Sequence, residues 1–191
     1  MDNYYKIGVF VSSKMGVTWY DDTRRILCHL ISKNQYLRDM SVDDGAKDYS
    51  AQENADRRLE DSHICVFIIG EAYGVPELVM KEHNDAKNNN LARLYYFLKK
   101  EDEKALLGSL GIKDEADNQK RLSSLKSELY PNDSAGRLIN FQSDLASIAI
   151  QAYKDIEEEV MHGYIKHFRN KQERTVSGSD RDLPGGGYAN G

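Results

Sequence analysis

Glu82 carries the strongest chemical signal in this chain. Residues 75–87 (VPELVMKEHNDAK) have helical spacing, and at about 100° per residue Val75, Leu78, Val79 and Ala86 form one apolar stripe. Glu82 falls in the middle of that stripe, while Glu77, Lys81, Asp85 and Lys87 point elsewhere. A buried ionised carboxylate is unfavourable unless it is paired, hydrogen-bonded or turned into a cavity. A buried ion pair, or a helix edge where Glu82 reaches water, is the structural alternative. His83 borders the stripe and His63 opens a strand, positions that suit packing better than catalysis.

Two short segments supply the other candidates. Ser12-Ser13-Lys14-Met15-Gly16 breaks an apolar run and reads as a loop; its hydroxyls, Lys14 and the N–H groups of a following helix could hold phosphate, or could merely make the turn. No P-loop or G-x-G-x-x-G accompanies it. Gly70-Glu71-Ala72-Tyr73-Gly74 reads as a second loop, in which Tyr73 could stack on a ring or simply pack. A third, polar loop at residues 41–49 contains Asp43. No Ser-His-Asp or Cys-His arrangement follows from the spacing.

The elements that must position these residues alternate between strand and helix. Strands are expected at residues 5–11, 35–40, 63–69, 91–98 and 137–141. Helices are expected at 18–33 with Thr18 as N-cap, 50–61 behind a capping box, 76–87, 101–110, 115–129 and 143–168. The run HICVFII at 63–69 is apolar at nearly every position, as in a central strand covered on both faces. Such alternation implies right-handed crossovers and an α/β, flavodoxin-like three-layer fold with a five-stranded parallel sheet, order 2-1-3-4-5. In such a sheet ligands bind beyond the carboxyl ends of the strands where the order reverses, here the loops after strands one and three. Residues 1–173 then form one domain. Residues 174–191, rich in Gly, Ser and Asp, read as a flexible linker or tail.

Composition narrows the function classes. Of 191 residues 40% are hydrophobic and 30% charged, as in a soluble globular domain. The formal net charge of −5 gives no electrostatic reason to expect direct contact with nucleic acid or an anionic membrane. No apolar run approaches the roughly 18 residues of a membrane span, and no signal peptide is evident at the N-terminus. The two cysteines, Cys28 and Cys65, lie inside apolar runs without metal-ligand spacing, so a cytoplasmic location and neither disulfide nor metal are expected.

Lys6-Ile7-Gly8-Val9-Phe10-Val11-Ser12-Ser13 resembles the opening of TIR domains. It is still more similar to a TIR-related domain, without a named function, at the N-terminus of bacterial STAND-type NTPases and defence proteins. Arg24-Arg25 matches that family's arginine-bearing helix, and Asp61 to Gly74 its next strand and Tyr-Gly loop. Glu82 to Ala86 matches its E-x-x-x-A helix, and residues 122–129 and 141–145 later segments. The likeness spans about residues 6–168. It implies a TIR-like fold and an NAD glycohydrolase or cyclase in antiphage defence or signalling, active when clustered. Glu82 would be its catalytic residue, with Ser12, Ser13, Lys14, Asp43 and Tyr73 flanking the nucleotide. It implies no metal and no cofactor beyond NAD as substrate. The expected partners are other copies of the chain, pairing through the 41–49 loop, and a downstream sensor or NTPase domain. Two alternatives stand beside it: a non-catalytic, self-associating adaptor module, and a nucleoside deoxyribosyltransferase-like enzyme, which shares the topology and a helix-borne glutamate.

Overall fold

The computed structural model describes residues 6–41, 49–110, 116–129, 137–142 and 144–178. In chain order the elements are β1 (Ile7–Ser13), α1 (Thr18–Lys33), β2 (Leu37–Asp39), α2 (Tyr49–Glu60), β3 (Ile64–Gly70), α3 (Glu77–Asn88), β4 (Ala92–Leu98), α4 (Lys100–Leu110), α5 (Ala116–Leu129), β5 (Arg137–Gln142) and α6 (Leu145–Gly178). The chain divides into two compact units, Met1–Lys154 and Asp155–Gly191. The first holds every strand and the helices up to the opening of α6; the described part of the second is the rest of α6, which runs past the end expected near Phe168. Among the described residues no helix is long and apolar enough to cross a membrane.

A parallel sheet in the order β2-β1-β3-β4 frames the first unit. The backbone of β5 runs parallel to β4 beyond it, in register from Arg93↔Arg137 to Leu98↔Gln142. All seven residues of β3 are buried, because a central parallel strand has helices on both of its faces. Strand alternation sorts the side chains. Phe10, Cys65, Phe67, Ile69, Tyr95 and Phe97 join Leu59 of α2, Val79 and Ala86 of α3, and Leu122, Leu125 and Leu129 of α5 in one core cluster. The alternate residues Val9, Val11, Val66, Ile68, Tyr96 and Leu98 turn to the other face and are equally buried.

Several boundaries differ from those the sequence suggests. Ser12 and Ser13 belong to β1 rather than to a loop, since their backbones pair with Phe67 and Ile68 of the longer β3; ladder pairing overrides the weak strand preference of serine. Thr18 is the first helical residue and Val17 the N-cap, with no side-chain cap. Inward-facing residues of α1 are Tyr20, Thr23, Arg24, Leu27 and Ile31, whereas Ile26 is 46% exposed. Leu78, expected on the buried stripe of α3, is 38% exposed.

The β3–α3 connection turns at Gly74, where φ is +89°. A Cβ there would sit 2.6 Å from the backbone C and O of Asn118 in α5. Both the conformation and the close approach therefore require glycine. Gly74→Ala is expected to lower the unfolding free energy by roughly 2 kcal/mol or more, read from urea denaturation. An unchanged midpoint would mean that α5 does not press on this turn.

Candidate active site

The site is built where β1 and β3 end side by side. Because β1 continues to Ser13, alternation turns Ser12 and Ser13 to opposite faces. Ser12 faces α3, the helix that follows β3 and runs back across the core. Pro76 caps its start, and Val79, Glu82, His83 and Ala86 form its buried face. The Ser12 hydroxyl donates to Glu82 Oε2 at 2.5 Å. Glu82 itself is only 7% exposed. The charged residue that periodicity places on an apolar face is thus buried, against a hydroxyl at the carboxyl end of the first strand.

Burial pushes the Glu82 carboxyl up to about 7, and the Ser12 hydroxyl and the Arg24 guanidinium act in the opposite direction. Arg24 is the buried cation of α1, 7% exposed. Outside, Lys81 forms an ion pair with Asp56 of α2 at 2.7 Å, and these two charges act on Glu82 in opposite senses. The carboxyl is therefore poised to change charge near neutrality, which an exposed glutamate does not do.

A second group of residues shapes the loops beside it. Lys14, just past β1, places its ammonium over the Tyr73 ring, 3.0 Å from the centroid. Beneath the 71–75 loop lies Glu103, from the first turn of α4 and 0% exposed. It accepts the Ala72 N–H at 2.5 Å, the Tyr73 N–H at 3.2 Å and the Tyr20 hydroxyl at 3.0 Å. Burial raises the Glu103 carboxyl as well, opposed by these donors and by Lys14. From the other side α5 clamps the same loop. Gln119 donates to the Ala72 carbonyl at 2.6 Å, Arg121 donates to the Val75 carbonyl at 2.9 Å, and Lys126 pairs with Glu71.

Of the residues singled out by sequence, Glu82 and Ser12 meet directly, and Lys14 and Tyr73 meet each other. Ser13 is turned from Glu82, and its buried Oγ has no hydrogen-bond partner among the described residues. Asp43, with the rest of the 42–48 loop, lies outside the described residues. His83 serves the core: its Nδ1 contacts the Tyr95 hydroxyl at 2.9 Å and its Nε2 faces Glu128 at 3.4 Å, with burial lowering its pKa. Burial pushes the Cys28 thiol up to about 12 and raises that of Cys65 well above its ordinary value, so neither is a ready nucleophile.

Sequence reasoning left Arg24, Tyr20 and Glu103 out of the site. The spacing of Tyr20, Arg24, Leu27 and Ile31 on one helical face was a signal for the first two. Glu103 sits in the run KKEDEK and offered none.

Glu82 ties stability to pH with a definite sign. Its carboxyl is raised from 4.5 to about 7 in the fold. Above pH 4.5 the unfolded chain therefore releases this proton while the folded chain keeps it, and the Glu82 contribution to stability falls until about pH 7. Glu82→Gln removes that titration. Its stability relative to the parent chain should rise by up to about 3 kcal/mol between roughly pH 5 and roughly pH 8. Urea unfolding at both pH values checks this, and an identical difference at the two would refute it.

No curated protein sequence matches the chain. Solved structures similar to it include two of translation elongation factor SelB from Methanococcus maripaludis. One is the complex with the GTP analogue GppNHp, at 9% identity and a TM-score of 0.44. The other is the apo form, at 12% identity and a TM-score of 0.45. Each alignment covers 89% of this chain and 35% of the SelB chain, so this chain spans about a third of that protein. Scores this low carry no argument about function. The model of the family described as a domain of unknown function, DUF4062, matches residues 8–173, nearly the whole of the described chain. The chain belongs to the DUF4062 family.

Proposed function

We propose that this chain is a TIR-like enzyme that cleaves the bond between nicotinamide and ribose in NAD or a related nucleotide, with Glu82 as the catalytic carboxylate. In this reading β5 completes a five-stranded, flavodoxin-like sheet, and the reaction serves defence or signalling through a clustered form of the protein. The observation that carries it is the buried Glu82 carboxyl hydrogen-bonded to Ser12 at the carboxyl edge of β1. That is the switch point between β1 and β3, where open α/β sheets bind ligands.

The chemistry suits a single carboxylate. Nicotinamide leaves a cationic nucleotide as a neutral ring, so the leaving group needs no proton. Positive charge grows on the anomeric carbon and ring oxygen as the bond breaks, and a desolvated carboxylate close to the ribose stabilises it. Ser12 holds the Glu82 carboxylate in one orientation. Burial strengthens the interaction, because no water competes for the charge. The ionised form is the active one, so activity should rise with pH through about 7 as Glu82 loses its proton.

The test is nicotinamide release from NAD by concentrated, clustered protein. The parent chain should release it, and Glu82→Gln should fall by about 100-fold or more while keeping its fold. Silence from the clustered parent chain would sink the enzymatic reading and leave that of a self-associating adaptor. Exchange of bases between nucleosides would redirect it to a deoxyribosyltransferase-like reaction.

A further inference from the structure

We infer that the ring face of the half-buried Tyr73 is a seat for a planar, cationic ring of the ligand, and that Lys14 occupies this seat in the free protein. The inference deepens the reading above, on which it rests only for identifying that ring as the pyridinium of an oxidised nicotinamide nucleotide.

The Lys14 ammonium sits 3.0 Å from the centroid of the Tyr73 ring, directly over its face. An ammonium is compact and strongly hydrated, so leaving water for a ring face needs a local field that favours positive charge. Two features supply it. The ring itself presents the negative face of its quadrupole. Below it the fully buried Glu103 carboxyl, which attracts Lys14, holds the backbone N–H groups of Ala72 and Tyr73.

The seat is also rigid. Tyr20 donates to Glu103, and Gly70 leaves the space in which the two side chains meet: a Cβ there would lie 1.8 Å from Glu103 Oε1 and 2.0 Å from the Tyr20 hydroxyl. Gln119 and Arg121 hold the loop from the α5 side.

The residue that covers the seat lies close in the chain to the candidate catalytic pair. Lys14 follows Ser12 by two residues, a chain distance of at most about 7 Å, and Ser12 is bonded to Glu82. On the proposed reading, the ribose of the nucleotide meets Glu82 and its nicotinamide ring takes the seat at Tyr73. A heteroaromatic cation spreads its charge over a flat ring, sheds water more readily than an ammonium and stacks on tyrosine along its whole face. It would replace Lys14, whose side chain would leave the ring face. A neutral ring of the same shape lacks the charge that the seat selects.

The experiment titrates the N-methylnicotinamide cation, and separately neutral nicotinamide, into the full chain by NMR. The parent chain should bind the cation and discriminate against the neutral ring. Lys14→Ala removes the internal competitor and should tighten cation binding by about threefold to tenfold. Tyr73→Leu should abolish binding, whereas Tyr73→Phe should retain it; matched thermal melts show that the variants are folded. Equal binding of the charged and neutral rings, no gain in Lys14→Ala, or no cation binding at all would overturn the inference. Nicotinamide release from NAD is scored separately. Release without charge preference would leave the proposed reaction and remove the seat, and charge preference without release would do the reverse.

Discussion

Glu82 keeps 7% of its surface exposed, and a carboxylate with so little water must find its solvation in protein groups. Ser12 supplies a hydroxyl and Arg24 a cation, and each comes from a different element. For the three to converge, β1 must stay extended through Ser13, α3 must cross the core with its second turn over β1, and α1 must turn a guanidinium inward. The parallel ladder between β1 and β3 sets the first of these conditions, and the core cluster around Phe67 and Val79 the second. The penalty of a partly uncompensated buried carboxyl is the kind of local instability that a rigid scaffold tolerates at a working site.

That scaffold is stiff directly beneath the site. Phe67 stacks on Tyr95 with ring centroids 5.0 Å apart and planes 13° from parallel. His83, one residue after Glu82, is fixed by the Tyr95 hydroxyl on one side and Glu128 on the other. The helix turn that carries the candidate catalytic carboxyl is therefore locked by its neighbour, which explains why the two adjacent polar residues of α3 have different roles. One faces a hydroxyl at the end of a strand. The other faces a closed core.

The loop after β3 follows a different logic. Its Ala72 and Val75 side chains are buried, and much of its backbone is satisfied by groups from other elements. Glu103 satisfies two donors from the α4 side, while Gln119 and Arg121 satisfy acceptors from α5. A loop held this way fixes the half-buried Tyr73 beyond the carboxyl end of β3.

Composition and periodicity alone determined the alternation of strands and helices, the burial of the run at 63–69 and the anomalous position of Glu82, because these are local patterns with periods of 2 and 3.6 residues. They also picked out Ser12, Lys14 and Tyr73 as residues of loops after strands one and three. Tertiary structure alone decided which of them meet. It kept Ser12 and Ser13 in the strand through pairing with β3, and so sent them to opposite faces. It turned Arg24 inward, and it drew Glu103 from a charged run thirty residues away to hold the Tyr73 loop. Burial and partnership of a charged group depend on what other elements bring to it. The resulting pKa, raised for Glu82 and lowered for His83 one residue later, belongs to that three-dimensional neighbourhood and is written in no stretch of sequence.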